Sequence, residues 1–445
     1  MDTLTRRRFL LSSGVAGAAA LVAGGTAYGV HELLASGGAA DAATSPVLVL
    51  VTLYGGNDGL NTVVPAADRA YQDARSELAY SEDEVLPLGD GLGLNPGMKG
   101  FKKLWDDKKL AVVRGVSYPR PDHSHFRSMS IWQTGSPSSP VPSGWLGRWL
   151  DTFDTADPLR AVSVGATLPP LLAGERTAGA AVRLGGGGLP DAWLRTCTEL
   201  SRTSEDAHPL LARAAASLGD VTRIDAAFAD RGAGSDRPGG KGAKGKKGDG
   251  PQPSGSPVPH SSSVAAEDPG APREGDEDQD MGASAGGQGE LAGQLDVVAR
   301  AITAGATTRA YSVSLGGFDT HANEKGTQSR LLGQLDHDLT AFLDRVRSAG
   351  AGRPVVVAVY SEFGRRPRAN GNQGTDHGTS GPVFVLGDPV HGGFYGDQPS
   401  LTRLTDGDLA TTTDFRDVYA TLLHRVLDSD PGRILDGHDR TLGFL

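Results

Sequence analysis

Residues 47–54 read Val-Leu-Val-Leu-Val-Thr-Leu-Tyr, and residues 55–59 continue as Gly-Gly-Asn-Asp-Gly. An apolar run of this kind, without alternating polar positions, is typical of a strand that is buried on both faces of a sheet. Similar runs recur further along the chain, at residues 110–116, 310–315, 354–360 and 382–387. The sequence therefore predicts a sheet whose two faces are both covered.

The segments between and after these strands include predicted helices, at residues 291–304, 328–348 and 413–427. In the longest of them Leu331, Leu335 and Leu339 follow one another at intervals of four residues, which is the spacing of an amphipathic helix. Because helices alternate with strands, the sequence predicts an α/β fold. We expect a doubly wound, largely parallel sheet with helices on both faces.

The N-terminus predicts export from the cytoplasm. Arg6–Arg8 precede an uncharged stretch from Phe9 to Val30, and residues 40–42 read Ala-Asp-Ala, a small-residue cleavage site. Together these features indicate a twin-arginine signal peptide over residues 1–42. We expect a transient contact with the export machinery and a periplasmic, extracellular or cell-envelope location. The segment is also long enough for a retained membrane anchor, so both fates stay open.

A charged, low-complexity stretch at residues 231–290 divides the rest of the chain. It contains Gly, Ser, Pro and charged residues with few apolar ones, so it is predicted to be a disordered insertion. Residues 45–230 and 291–445 would then be two parts of one domain. The insertion is either a solvated surface loop or a contact with a cell-envelope partner. The net charge of −10 argues against nucleic acid as a partner.

Polar side chains that suit metal ions lie next to the ends of the predicted strands. In an open α/β sheet, ligands bind beyond the carboxyl ends of the strands. Imidazole and carboxylate together suit Zn, Mn or Fe, whereas all-oxygen ligands suit Mg or Ca. Each motif alone also has an ordinary interpretation as a turn, a helix cap or an ion pair. The candidate metal ligands are Asp58, Asp319, His321, Glu362, Asp376 and His377.

Several of these motifs recur in one known family. They are the arginine signal, Gly-Gly-Asn-Asp-Gly-Leu-Asn at 55–61, His-Ser-His-Phe-Arg-Ser-Met-Ser-Ile-Trp-Gln-Thr-Gly at 123–135, Phe-Asp-Thr-His at 318–321, Ser-Glu-Phe-Gly-Arg at 361–365 and Gly-Thr-Asp-His-Gly at 374–378. In this order they resemble the exported bacterial family with domain of unknown function 1501, which has no settled activity. The pattern is similar, more distantly, to the alkaline phosphatase and sulfatase superfamily.

The superfamily resemblance implies roles for individual positions. Asp58 matches a metal-binding aspartate that ends the first strand, while Asp319 and His321 match the ligands of a second metal. His377 matches the final histidine ligand. Glu362 stands where the superfamily has an aspartate ligand. The next residue, Phe363, has no metal-binding side chain, so the second ligand of this pair is missing. The resemblance therefore implies one or two divalent ions, with Zn, Mn, Mg and Ca as candidates.

The position that corresponds to the superfamily nucleophile is occupied by His125, with Ser124 beside it. Either Ser124 or a metal-activated water would then attack the substrate, and Arg127 together with the helix N-terminus would favour an anionic substrate. The sequence thus predicts a metal-dependent hydrolase of phosphate or sulfate esters, acting on a small molecule or a polymer. The alternative is a non-catalytic exported protein for binding or assembly that keeps the fold and a structural metal.

Overall fold

The strand at the centre of the fold forms where its apolar run predicts it, at Val47–Leu53, and all its residues are buried. In the computed structural model the described residues are 27–28, 44–165, 167–184 and 291–445. Their α-helices are α1 (Arg69–Arg75), α2 (Lys99–Asp106), α3 (His125–Thr134), α4 (Trp145–Leu150), α5 (Leu291–Thr303), α6 (Glu324–Ser348), α7 (Phe415–Arg425) and α8 (Pro431–Ile434). Short 3-10 helices lie at Ser76–Leu78, Pro158–Arg160 and Pro170–Leu172.

The strands of the described residues form one large sheet and two small ones. They are β1 (Ala27–Tyr28), β2 (Val47–Leu53), β3 (Val63–Val64), β4 (Leu86–Gly89), β5 (Leu92–Leu94), β6 (Leu110–Ser117), β7 (Ala161–Val164), β8 (Ala180–Val182), β9 (Ala310–Leu315), β10 (Val355–Ser361), β11 (Arg365–Ala369), β12 (Thr375–His377), β13 (Gly381–Leu386), β14 (Gly393–Tyr395) and β15 (Thr413–Asp414). The long apolar runs of the sequence coincide with β2, β6, β9, β10 and β13, and the predicted helices coincide with α5, α6 and α7.

The large sheet is mostly parallel, as the sequence predicts. Its order is β1-β8-β7-β9-β2-β10-β13-β6-β14, and β15 also pairs with β6. The neighbouring strands from β1 to β10 along this order, which are β1, β8, β7, β9, β2 and β10, all pair in parallel. Strand β6 pairs in parallel with β14 and β15. Strand β13 is antiparallel to both of its neighbours, β10 and β6. The start of β13 therefore lies at the same edge of the sheet as the carboxyl ends of the other strands.

Both faces of the sheet are covered by helices, which explains why the strands read as continuous apolar runs. Alternate side chains of β2 enter opposite cores: Val49 packs on the side of α2, α5 and α6. Leu48 and Leu50 pack on the side of α3, α4 and α7. This double covering confirms the predicted fold class.

Strands from both parts of the chain alternate within the large sheet. β2 comes from the first part and lies between β9 and β10, which come from the second. The described residues of the two parts thus share one sheet and one pair of cores.

Several predictions from the sequence concern residues outside the described ranges. These are the insertion at 231–290 and the signal peptide at 1–42. Of the signal peptide, only Ala27–Tyr28 is described, and this strand pairs in parallel with Ala181 and Val182. No helix among the described residues is long and apolar enough to span a membrane. Export and the fate of the signal stay predictions.

Candidate metal centre

The carboxyl edge of the sheet brings four predicted side chains together. Asp319 and His321 follow β9, His377 ends β12 just ahead of the reversed strand β13, and His125 begins α3 after the loop from β6. The reversal of β13 is what brings His377 to this edge. We call His125, Asp319, His321 and His377 the histidine cluster.

The Nε2 atoms of the three histidines converge with the carboxylate of Asp319. Nε2 of His377 lies 3.1 Å from Nε2 of His125 and 2.9 Å from Nε2 of His321. Oδ1 of Asp319 lies 3.0 Å from Nε2 of His321 and 3.1 Å from Nε2 of His377. Oδ2 of Asp319 is 3.7 Å from Nε2 of His125. Ligand atoms of His125, Asp319 and His377 all lie within 4.8 Å of one another.

The other ring nitrogens of two of these histidines are already engaged. Nδ1 of His377 lies 2.9 Å from the carbonyl oxygen of His123, and Nδ1 of His125 lies 2.8 Å from Oε1 of Glu362. A carbonyl or a carboxylate only accepts hydrogen bonds, so these partners assign the N–H to Nδ1 in both rings. In the neutral rings the Nε2 lone pairs then face one another, and a cation between them would be stabilised.

This donor set fits a transition-metal ion. Two ligands at the usual Zn–N distance in a tetrahedral arrangement lie about 3.3 Å apart, close to the spacings within the histidine cluster. Imidazole with one carboxylate favours Zn, Mn or Fe over Mg or Ca. Contacts from Glu362 and the His123 carbonyl orient the rings in the way that metal-binding histidines are normally held.

The charges around the histidine cluster oppose the effect of burial. Burial alone would raise the pKa of Asp319, but the contacts with the three histidines and the charge of Arg365 hold that pKa far below its usual range. Burial lowers the pKa of His125, but the carboxylates of Asp319 and Glu362 outweigh it and raise the pKa to about 9. A raised pKa means that these carboxylates stabilise a positive charge on His125.

The histidine cluster opens to solvent on one side. The side chain of His125 is 6% exposed and lies at the back, whereas that of His321 is 42% exposed. The centroid of the Phe363 ring lies 4.7 Å from the ring centroid of His125 and 4.8 Å from that of His377, so Phe363 packs against both rings. Solvent can therefore reach the histidine cluster from the side of His321.

Glu362 and Asp376, two of the expected ligands, lie beside the Nδ1 atoms of the histidines. Oε1 of Glu362 accepts hydrogen bonds from His125 and from the backbone N–H of Gly55, while Oε2 accepts one from Ser361. Asp376 is exposed, and its Oδ1 is 4.0 Å from Nδ1 of His321. Both carboxylates thus face Nδ1 atoms and not the converging Nε2 atoms.

Asp58 has a different partner from the one that the sequence suggested. Its Oδ2 and Oδ1 accept hydrogen bonds of 2.5 and 2.9 Å from Nη1 and Nη2 of Arg75, and both side chains are fully buried. Glu324 lies 3.8 Å from the same guanidinium. Burial and the charge of Asp58 raise the pKa of Glu324 to about 9. A buried arginine thus takes up the charge that was expected to hold a metal.

Ser124 and Arg127 lie on the exposed surface at the start of α3. Ser124 is the residue before the first helical turn, and its side chain does not cap the helix. Nε of Arg127 lies 3.2 Å from Asp122, and the arginine side chain is 64% exposed. His125 itself points into the histidine cluster, so the position expected to carry a nucleophile carries a candidate ligand.

The sequence does not reveal the ion pairs of two buried arginines near the site, Arg75 with Asp58 and Arg365 with Asp319. Arg75 has no motif that would reveal its pairing with Asp58. Arg365 belongs to the Ser-Glu-Phe-Gly-Arg motif, and its register opposite His377 in the β11–β12 hairpin places it beside Asp319. Only the three-dimensional pairing shows that Arg365 is buried.

Comparisons with known proteins extend this description. The model of a protein family of unknown function, DUF1501, matches residues 265–441, which confirms the resemblance for that part of the chain. No curated protein matches the chain in sequence.

Solved structures provide distant fold similarities. The lipoteichoic acid synthase LtaP from Listeria monocytogenes is 9% identical with a TM-score of 0.37, covering 92% of this chain and 80% of that one. A protein of the alkaline phosphatase superfamily from Vibrio parahaemolyticus is 9% identical with a TM-score of 0.35, covering 90% and 71%. The phosphoglycerol transferase GacH from Streptococcus pyogenes, solved with sn-glycerol-1-phosphate, is 8% identical with a TM-score of 0.33, covering 95% and 83%.

Proposed function

We propose that this protein is a metal-dependent hydrolase of phosphate or sulfate esters. The observation that carries the proposal is the convergence of three imidazole nitrogens and the Asp319 carboxylate at the carboxyl edge of the sheet, open to solvent beside His321. His125, Asp319 and His377 would hold a divalent ion, and His321, whose Nε2 lies 2.9 Å from that of His377, is the candidate for a fourth ligand. When bound, such an ion acts as a Lewis acid and lowers the pKa of a water molecule.

The charges of the site support an anionic substrate. A divalent ion adds two positive charges beside the single positive charge of Arg365, against the carboxylates of Asp319 and Glu362. These inner groups would then carry a net charge of about +1, and because Asp376 beside His321 is 60% exposed, solvent screens its opposing charge. The inner charge favours an anion over a neutral ester.

The arrangement favours water over Ser124 as the attacking group. A serine nucleophile needs a base within hydrogen-bond reach. Within the described part of the chain, no hydrogen bond to the hydroxyl of Ser124 is present. Of the two imidazoles next to it in sequence, that of His125 is turned into the histidine cluster and that of His123 lies 2.8 Å from Asp408. His321, the most exposed of the ligands, is the side chain best placed to give way to water.

The test is hydrolysis of p-nitrophenyl phosphate and p-nitrophenyl sulfate by the protein loaded with Zn²⁺ or Mn²⁺. We expect turnover with one of these esters, and a loss of at least about a hundredfold in Asp319→Asn and His377→Ala. Ser124→Ala should keep its rate within about tenfold if water attacks, because general catalysis by a side chain typically contributes 10²–10⁴-fold. If neither ester is hydrolysed by the protein loaded with Zn²⁺ or with Mn²⁺, the proposal is contradicted.

A second candidate is a non-catalytic protein with a structural metal. It is favoured by the number of protein donors, because with His321 as a fourth ligand three imidazoles and a carboxylate would fill a tetrahedral site, and closed sites are structural. Substitution with Co²⁺ separates the two candidates. We expect added phosphate to change the visible spectrum of the Co²⁺ protein if a ligand position is open, and to leave it unchanged if all positions are filled by protein.

A further inference from the structure

The guanidinium of Arg365 fills a cage of oxygen atoms beside the histidine cluster. Its Nε donates to the carbonyl of Gly56 at 2.7 Å, and its Nη1 donates to the carbonyl of Thr375 at 2.9 Å. Its Nη2 donates to the carbonyls of Gly55 and Phe318 and to Oδ1 of Asp319. The arginine side chain is completely buried.

The oxygens around this guanidinium are those that a hard cation would use. Four backbone carbonyls and one carboxylate oxygen resemble the ligand set of Ca²⁺. These oxygens come from three separate loops, after β2, after β9 and in the β11–β12 hairpin. Arginine is always charged in proteins, so the cage permanently contains a cation that is part of the chain.

The same oxygen of Asp319 faces both the arginine and the histidines. Oδ1 lies 3.0 and 3.1 Å from Nε2 of His321 and His377, and Nη1 of Arg365 is 3.5 Å from the same nitrogen of His321. A second metal ion that shared this carboxylate would have to occupy the place of the guanidinium. The other buried carboxylates nearby are engaged as well, Asp58 by Arg75 and Glu362 by His125.

We propose that Arg365 is a built-in cation in the place of a second metal ion, so that the centre binds a single transition-metal ion. This inference rests on the metal centre of the proposed function. It predicts that one carboxylate, Asp319, is shared by a bound ion on one side and by a tethered positive charge on the other. Arg365 then acts as a positioning residue, because it holds Asp319 without touching a substrate.

The first measurement is the metal content of the full chain after exposure to excess Zn²⁺ or Mn²⁺ together with Ca²⁺, followed by desalting. We expect one transition-metal ion per chain and no retained Ca²⁺. Two ions per chain would overturn the inference and leave the proposed metal centre standing. No ion would overturn both the inference and the proposed function.

The second measurement asks whether the cage accepts another cation when the arginine is removed. We expect added Ca²⁺ or guanidinium ion to raise the melting temperature of Arg365→Ala, and to leave that of the wild type unchanged. Arg366→Ala is the matched control, because Arg366 is the next residue but its guanidinium faces Asp408 outside the cage. A folded Arg365→Ala protein that responds to neither cation would contradict the role of Arg365. If Arg365→Ala does not fold, the metal content of the wild type decides the question.

Discussion

At the scale of single residues, the chemistry depends on which atom of each side chain faces the centre. His125 and His377 present Nε2 because Glu362 and a backbone carbonyl hold Nδ1. Both oxygens of Asp58 are instead bound by Arg75. Residues with similar chemical character therefore divide into ligands, supports of ligands and buried ion pairs.

The pairing of Asp58 with Arg75 predicts the effect of Asp58→Asn. We expect the metal content of the folded protein to stay unchanged, because Asp58 is not a ligand. The free energy of unfolding should fall by about 1–3 kcal/mol, less than for an isolated buried charge, because Glu324 lies 3.8 Å from Arg75 and can ionise in its place. Metal analysis and urea unfolding measure the two effects. Loss of metal with unchanged stability would show that Asp58 is a ligand.

Glu324 predicts a pH dependence of stability. Its pKa in the folded protein is raised to about 9 by burial and by Asp58, so the folded state keeps a proton that the unfolded state releases above its ordinary pKa. The stability present at low pH is then lost progressively as the pH rises toward 9. Glu324→Gln should resemble the wild type at pH 5 and be more stable than it at pH 8.5.

Urea unfolding at the two pH values measures this difference. Glu82→Gln, which replaces an exposed carboxylate, is the control and should show no such change. A Glu324→Gln protein whose stability relative to the wild type is the same at both values would mean that Glu324 does not carry the proton.

At the scale of elements, the strands and long helices could be predicted from the sequence, whereas the site could be predicted only in part. Apolar runs and helical spacing are local signals, so β2, β9 and α6 follow from them. The meeting of His377 with Asp319 also depends on the reversal of β13, and a buried run looks the same in either direction. The role of Arg75 depends on Asp58, 17 residues earlier, and that of Arg365 on Asp319, 46 residues earlier, and on the Gly55 carbonyl, 310 residues earlier. No local pattern reveals these partners.

The turn after β2 must be made of glycine for the site to assemble. Gly55 has φ of +116°, and a Cβ atom there would lie 2.3 Å from the backbone nitrogen of Asp319. We expect Gly55→Ala to lower the free energy of unfolding by about 2–4 kcal/mol and to weaken metal binding, because Asp319 is displaced. Gly371→Ala, where no atom lies within 4 Å of the added Cβ, is the control. Equal effects of the two substitutions would contradict this account.

At the scale of the whole molecule, strands of the two parts of the chain alternate in one sheet, and the sequence predicts a disordered insertion between them. We expect limited proteolysis with trypsin to cut first at lysines of the insertion, such as Lys241 and Lys247, because folded segments resist cleavage. The two fragments should stay together in gel filtration and keep their metal, since β2 lies between β9 and β10. Separation of the fragments without denaturant would show that the parts fold independently.

The central claim is that His125, Asp319 and His377 bind a transition-metal ion, and anomalous X-ray diffraction of crystals grown from metal-loaded protein tests it most directly. We expect one anomalous peak at about 2.0–2.3 Å from Nε2 of His125, Nε2 of His377 and a carboxylate oxygen of Asp319, absent in Asp319→Ala. A map without a peak at the histidine cluster, in crystals of folded protein soaked with Zn²⁺ or Mn²⁺, would contradict the claim and leave a fold without metal chemistry.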